Sequence, residues 1–336
     1  MMKQLLVVCL FALSAGVWSS APATAQDRCA LTLAPASSVS IGHRSGAYNV
    51  FRQEAARSNL SVTIQNQTDA AASCTLVFEQ VRARARPGLI HDQGVDRLPL
   101  EIVRANGGGA SNYLLTENGS RTGRADRSIR VRVAADGRRT VRLRLVVPSA
   151  QFVRPGGYSA EVRASVFADN ELSAEDVESL LVRSTVDAQG RLFISTRGRA
   201  TETSGRRATL DFGAITADEA NGVASMLIQS NGRFRIELES ENDFALQLLN
   251  APADLAGFED RIGYRASING RVFRPATRGT AGGSGGLLYD PTRARGTQYR
   301  LEIDLDTGRA RGAGTVVEGK LAGRYEDILY IRILSE

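Results

Sequence analysis

Residues 129–145 read Ile-Arg-Val-Arg-Val-Ala-Ala-Asp-Gly-Arg-Arg-Thr-Val-Arg-Leu-Arg-Leu. Two strictly alternating runs, 129–133 and 141–145, flank the turn dipeptide Asp136-Gly137. Alternation of apolar residues with arginine is the pattern of a strand with one buried and one wet face. The spacing predicts an antiparallel hairpin. Similar short runs recur along the chain at 60–64, 74–78, 158–167, 225–229, 234–238, 299–305 and 328–334. Strands at this density predict an all-β chain, and its length of 336 residues suits two tandem immunoglobulin-like or pilin-like β-sandwiches. The best helical candidate is 173–181, with Ser173 as a cap and Glu175 and Asp176 in a first turn. The same stretch reads equally as a charged linker.

Composition narrows the chemistry. Hydrophobic residues make up 43% and charged residues 23%, enough for a buried core. Two histidines, His43 and His91, and three cysteines argue against His/Cys zinc catalysis, haem ligation and iron–sulfur chemistry. The net charge of +6 comes almost entirely from arginine, because Lys3 and Lys320 are the only lysines. Arginines at alternating positions read as the wet faces of strands rather than as a nucleic-acid patch.

Residues 1–25 read as a secretory signal: Lys3 ahead of an apolar core at 5–12, then Ala23-Thr24-Ala25 as a cleavage site. No later run is long enough to span a membrane as a helix. The expected mature chain starts at Gln26, is exported, and keeps two cysteines. Cys29 and Cys74 are expected to pair in an oxidising compartment.

A weak internal repeat sets the expected domain organisation. The segment 155–166 and the segment 321–333 each place a glycine two residues before a tyrosine, Tyr158 and Tyr325, and then alternate. The expected division is an N-terminal sandwich at 26–170, a linker at 171–184 and a C-terminal sandwich at 185–336. Within the first sandwich, 87–95 and 107–115 are expected as loops carrying apolar residues among glycines. Leu89, Ile90, Tyr113, Leu114 and Leu115 are their candidate adhesive side chains.

Motifs that resemble catalysis fail on context. Gly282-Gly-Ser-Gly-Gly286 satisfies the nucleophile-elbow pattern, yet no histidine follows residue 91. Asp306-Thr-Gly308 lacks the second copy that an aspartic-protease dyad needs. No phosphate loop, dinucleotide fingerprint or metal set occurs, so neither a cofactor nor a catalytic residue is expected.

Leu210-Asp-Phe-Gly-Ala214, the run 224–238, Ile262-Gly-Tyr264 leading to Ile268-Asn-Gly270, and Leu321-Ala-Gly-Arg-Tyr-Glu-Asp327 form an ordered series. In that order they resemble the spore coat protein U domain family, subunits of archaic chaperone–usher pili. The resemblance covers residues 185–336. It implies a sandwich that lacks its last strand and receives it by strand addition. The implied donors are a periplasmic chaperone and then an adjacent pilus subunit, with an outer-membrane usher as assembly partner. The implied groove edge is the final strand, at Tyr325, Leu329, Ile331 and Ile333; strand periodicity turns Leu329, Ile331 and Ile333 toward the core and Ile328 and Tyr330 to the opposite face.

With only residues 26–28 expected ahead of Cys29, the chain would accept a strand and have little to donate, which fits a two-domain tip adhesin. Its expected location is the periplasm on the way to the cell surface, or secreted. Two alternatives stand beside this reading. One is a freestanding periplasmic or surface β-sandwich binding protein. The other is a secreted lectin or carbohydrate-active protein, which would need paired carboxylates or an aromatic platform.

Overall fold

A computed structural model describes residues 29–43, 46–81, 87–94, 96–105, 113–115, 128–168, 173–215, 221–251, 260–273, 286–305, 320 and 322–336. The expected signal peptide lies outside the described residues, as do 107–112 of the second expected loop, most of the glycine-rich 279–286 stretch and Asp306-Thr-Gly308. The chain is all-β, built as two sandwich units with separate apolar cores.

The first unit contains β1 (Cys29–Ala34), β2 (Ser38–Ser40), β3 (Ala56–Asn66), β4 (Ala72–Gln80), β5 (Gly88–His91) and β6 (Arg97–Pro99). It continues with β7 (Glu101–Arg104), β8 (Tyr113–Leu115), β9 (Ser128–Val133), β10 (Arg138–Val147), β11 (Gly156–Ala168) and β12 (Asp176–Val186). One sheet has the order β1-β3-β10-β7-β8; the other runs β2-β12-β11-β4-β9, with β5 and β6 attached beside β11. Alternation holds through most of both sheets. Ile129, Val131 and Val133 of β9, like Leu143, Leu145 and Val147 of β10, are buried, while Arg130, Arg132 and Arg142 are exposed.

The expected 129–145 hairpin does not form. β9 pairs with β4 and β10 pairs with β3, in different sheets. Residues 134–137 therefore cross the sandwich, beside a second crossing from β3 to β4. Buried Asn66 joins the two crossings. Its Nδ2 donates to the carbonyls of Ala70 at 2.7 Å and Ala134 at 3.0 Å, and its backbone N–H donates to Gly137. Asp136 takes φ 51°, a left-handed turn conformation that aspartate tolerates. The Cys29–Cys74 disulfide ties β1 of one sheet to β4 of the other.

The stretch 171–184 is not a linker, and 173–181 holds no helix. Asp176–Val186 is β12, paired along its whole length with β11. Buried Leu180, Val182 and Val186 follow period two, and the apolar face of the sandwich outweighs the local capping signal. The chain passes between units at 187–189.

The second unit contains β13 (Gly190–Ser195), β14 (Asn221–Ser230), β15 (Phe234–Ser240), β16 (Ala245–Leu248) and β17 (Arg261–Ile268). It ends with β18 (Arg271–Val272), β19 (Leu287–Tyr289), β20 (Thr297–Leu305), β21 (Tyr325–Glu326) and β22 (Leu329–Ser335). The larger sheet follows β13-β14-β20-β17-β16-β21, with β18 beside β17; the smaller follows β19-β15-β22. Asn269 and Gly270, both at positive φ, make the β17–β18 turn. Phe212 of the Phe-Gly motif is partly buried against the core, and its Cε1 would lie 2.7 Å from a Cβ added at Gly222.

Candidate functional site

β22 lies at the edge of its sheet. Among the described residues it pairs with β15 alone, from Ser240↔Leu329 to Phe234↔Ser335. Leu329, Ile331 and Ile333 turn inward and are half-buried against the second core, whereas Ile328, Tyr330 and Leu334 are exposed. The larger sheet ends nearby on β13, whose Leu192 and Ile194 are likewise half-buried against that core. The two edges meet at Gly190, where an added Cβ would stand 3.1 Å from Ile333 Cγ2. Five apolar side chains thus line the border between the two sheets.

The first unit shows what closure looks like. β11, the strand whose sequence resembles the C-terminal segment, is paired on both sides: by β4 over Val162–Ala168 and by β12 over Gly156–Val166. β22 has a counterpart of one of these partners only. Edges in the first unit are also covered by side chains. Backbone N–H groups of Cys29 and Leu31 on β1 donate to the carboxylates of Glu175 and Asp176.

Tyr325 departs from the expected edge. It sits on β21, paired with Leu248 of β16 in the larger sheet, and is therefore not on the strand that lines this border. The chain changes sheets at Asp327 and Ile328. Asp327 holds that step: its carboxylate accepts from the Tyr264 hydroxyl, from Ser240 Oγ at 2.6 Å and from the Asn242 backbone N–H at 3.0 Å. The Ile328 carbonyl accepts from Glu241 N–H at 3.0 Å. Burial, and then the hydrogen bond to Asp327, push the Tyr264 phenol up from its ordinary pKa. The Tyr-x-Asp spacing thus serves two sheets: tyrosine ends one and aspartate launches the other.

The expected adhesive residues fall on strands. Leu89 is fully buried on β5, so it belongs to the core and not to a loop tip; Ile90 beside it is half-buried. Tyr113, Leu114 and Leu115 form β8, paired with β7. Both histidines are engaged by the backbone: His43 Nδ1 accepts from Asn49 N–H, and buried His91 Nδ1 accepts from Gln93 N–H. No cluster of three or more potential metal ligands occurs among the described residues.

No family model matches the chain, and no curated protein is similar to it. Solved structures do resemble it. A chain of the chaperone–tip adhesion subunit complex CsuC–CsuE, from archaic Csu pili of Acinetobacter baumannii, is 12% identical. That likeness covers 91% of this chain and 99% of that one, with a TM-score of 0.43. The CupB6 tip adhesin of Pseudomonas aeruginosa is 11% identical over 91% of this chain and 92% of that one, at 0.37. The CFA/I adhesin CfaE of enterotoxigenic Escherichia coli is 10% identical over 89% and 91%, at 0.33.

Proposed function

We propose that this chain is an exported, non-catalytic subunit of a chaperone–usher type pilus. Its second sandwich accepts a strand, first from a periplasmic chaperone and then from an adjacent subunit delivered through the outer-membrane usher. Its first sandwich is the adhesive domain at the fibre tip. One observation carries the reading: among the described residues β22 is paired on one side, while β11, its counterpart by sequence pattern, is paired on both. An inserted strand would bond to the free edge of β22 and set alternate apolar side chains against Leu192, Ile194, Leu329, Ile331 and Ile333. The ordered motifs shared with the spore coat protein U family support the same reading.

The test is to express the chain without its leader and measure unfolding with and without a donor peptide of alternating apolar residues. The peptide should raise the unfolding midpoint and co-elute one to one. A cooperative, stable monomer indifferent to peptide would instead make the chain a freestanding β-sandwich binding protein.

A further inference from the structure

The arginines are not evenly spread over the first unit. Strands β1, β3, β7 and β10 of one sheet carry six arginines and a single carboxylate, Glu101. Strands β4, β9, β11 and β12 of the other carry four arginines and four carboxylates. Register places Arg57, Arg138, Arg142 and Arg144 on the outer face of the first sheet. They stand opposite Val146, Gln65, Ser61 and Asn59, while the alternate positions Leu60, Val62, Leu143 and Leu145 fill the core. None of the four has an ion pair among the described residues.

Spacing makes three of them one group. Arg142 and Arg144 are two residues apart on one strand, and Arg57 is the diagonal cross-strand neighbour of Arg144, so successive Cβ atoms lie about 7 Å apart. Next to them Thr63 and Thr140 form a hydroxyl pair at 3.0 Å across the same two strands. Glu101, opposite Val146 on β7, is the one carboxylate these strands set beside them, so three like charges held this close disfavour one another until an anion arrives.

We infer that this sheet face binds an extended sulfated polysaccharide. Guanidinium groups form paired hydrogen bonds to sulfate oxygens, and the threonine hydroxyls can serve sugar hydroxyls. A polymer with sulfates on successive sugars engages several arginines at once. The face lacks what other polyanions need. Its outward positions on β3 and β10 include no aromatic ring on which bases could stack, and nearly buried Val146 is their one large apolar side chain clear of the core, too little to enter lipid. The inference stands apart from strand acceptance, because these residues lie in the first unit and β22 lies in the second.

The experiment uses the full chain purified from the periplasm, immobilised heparin as probe, and two triple variants of equal charge. Arg57→Gln/Arg142→Gln/Arg144→Gln should bind roughly tenfold more weakly, with the slope of log affinity against log salt reduced by about 2–3. Arg130→Gln/Arg132→Gln/Arg163→Gln, on the other sheet, should bind as the parent does, and both variants should keep the parent's unfolding midpoint. Equal weakening of both triples would assign binding to net charge and overturn the inference, as would absence of binding by the parent. Capture by phosphatidylglycerol vesicles that is lost in the first triple, with heparin binding unaffected, would assign the face to a lipid surface and also overturn it.

Discussion

The side-chain amide of Asn231 donates to the carbonyl oxygen of Val153 at 3.1 Å, joining the second sandwich to the first. The same Nδ2 reaches the Asp187 carbonyl at 3.0 Å, and Asn231 Oδ1 accepts from Gln189 N–H at 2.7 Å. Asn231 is buried, in the turn between β14 and β15. One side chain therefore satisfies both ends of the connection and a carbonyl of the β10–β11 loop in the first unit. Beside it, the Arg191 guanidinium lies 4.3 Å from the ring centre of Phe51 and donates to the Phe51 carbonyl at 3.2 Å.

Asn231→Asp should loosen this junction more than its small change in shape suggests. The new carboxylate can still accept from Gln189, but it faces two carbonyl oxygens with no proton to offer. Leaving such buried groups unsatisfied costs about 1–3 kcal/mol. Cleavage within 187–189 by a protease of broad specificity should accelerate, whereas the denaturant midpoint of each unit's core should stay as in the parent.

Removing the disulfide should weaken the first unit selectively. Cys29 and Cys74 are separated by 45 residues, a loop whose closure entropy corresponds to about 4 kcal/mol. The double variant Cys29→Ser/Cys74→Ser should show a lower denaturant midpoint for the first unit. The parent, denatured without reductant, should expose no thiol from either residue.

On β22 the two faces should respond differently. Ile331→Asp puts a charge among the inward apolar residues and should abolish capture of a donor peptide. Tyr330→Ser alters the exposed face and should leave capture intact, although it loses a hydroxyl contact to Glu241. Peptide titration by fluorescence anisotropy separates the two. Equal loss in both would contradict edge insertion.

Alkaline solution should destabilise the second unit through Tyr264. Its phenol has a raised pKa in the fold, so the folded state keeps the proton when the unfolded chain gives it up. The stabilisation is whole below about pH 10, where a free tyrosine ionises, and falls as pH rises further. Tyr264→Phe should flatten that alkaline fall while lowering stability at neutral pH, since Asp327 loses a donor. Denaturant midpoints between neutral and strongly alkaline pH provide the check.

Alternation alone specified the buried face of most strands. Ile129, Val131 and Val133, the alternate positions Tyr158, Ala160, Val162, Ala164 and Val166, and Ile331 with Ile333 all turn inward as their spacing requires, because period two in a strand admits no other assignment. The expectation of export, which would leave Cys29 and Cys74 as the only cysteines of a mature chain, likewise made their pairing legible.

Periodicity carries no information about which strand becomes the neighbour, and there the reading from sequence went astray. Ile129–Val133 and Val141–Leu145 alternate like a hairpin but occupy facing sheets, because buried Asn66 ties their connection to the β3–β4 crossing 68 residues away in sequence. Leu89 looked like a loop residue because glycine and proline surround it, yet tertiary packing buries it. Tyr325 looked continuous with Leu329 until Asp327 moved the chain between sheets. Sequence determined that the chain is all-β, which face of its alternating strands enters the cores and which cysteines meet. Only the tertiary structure decided partners and edges, because pairing depends on hydrogen bonds between distant segments, whereas burial parity is a local property of each strand.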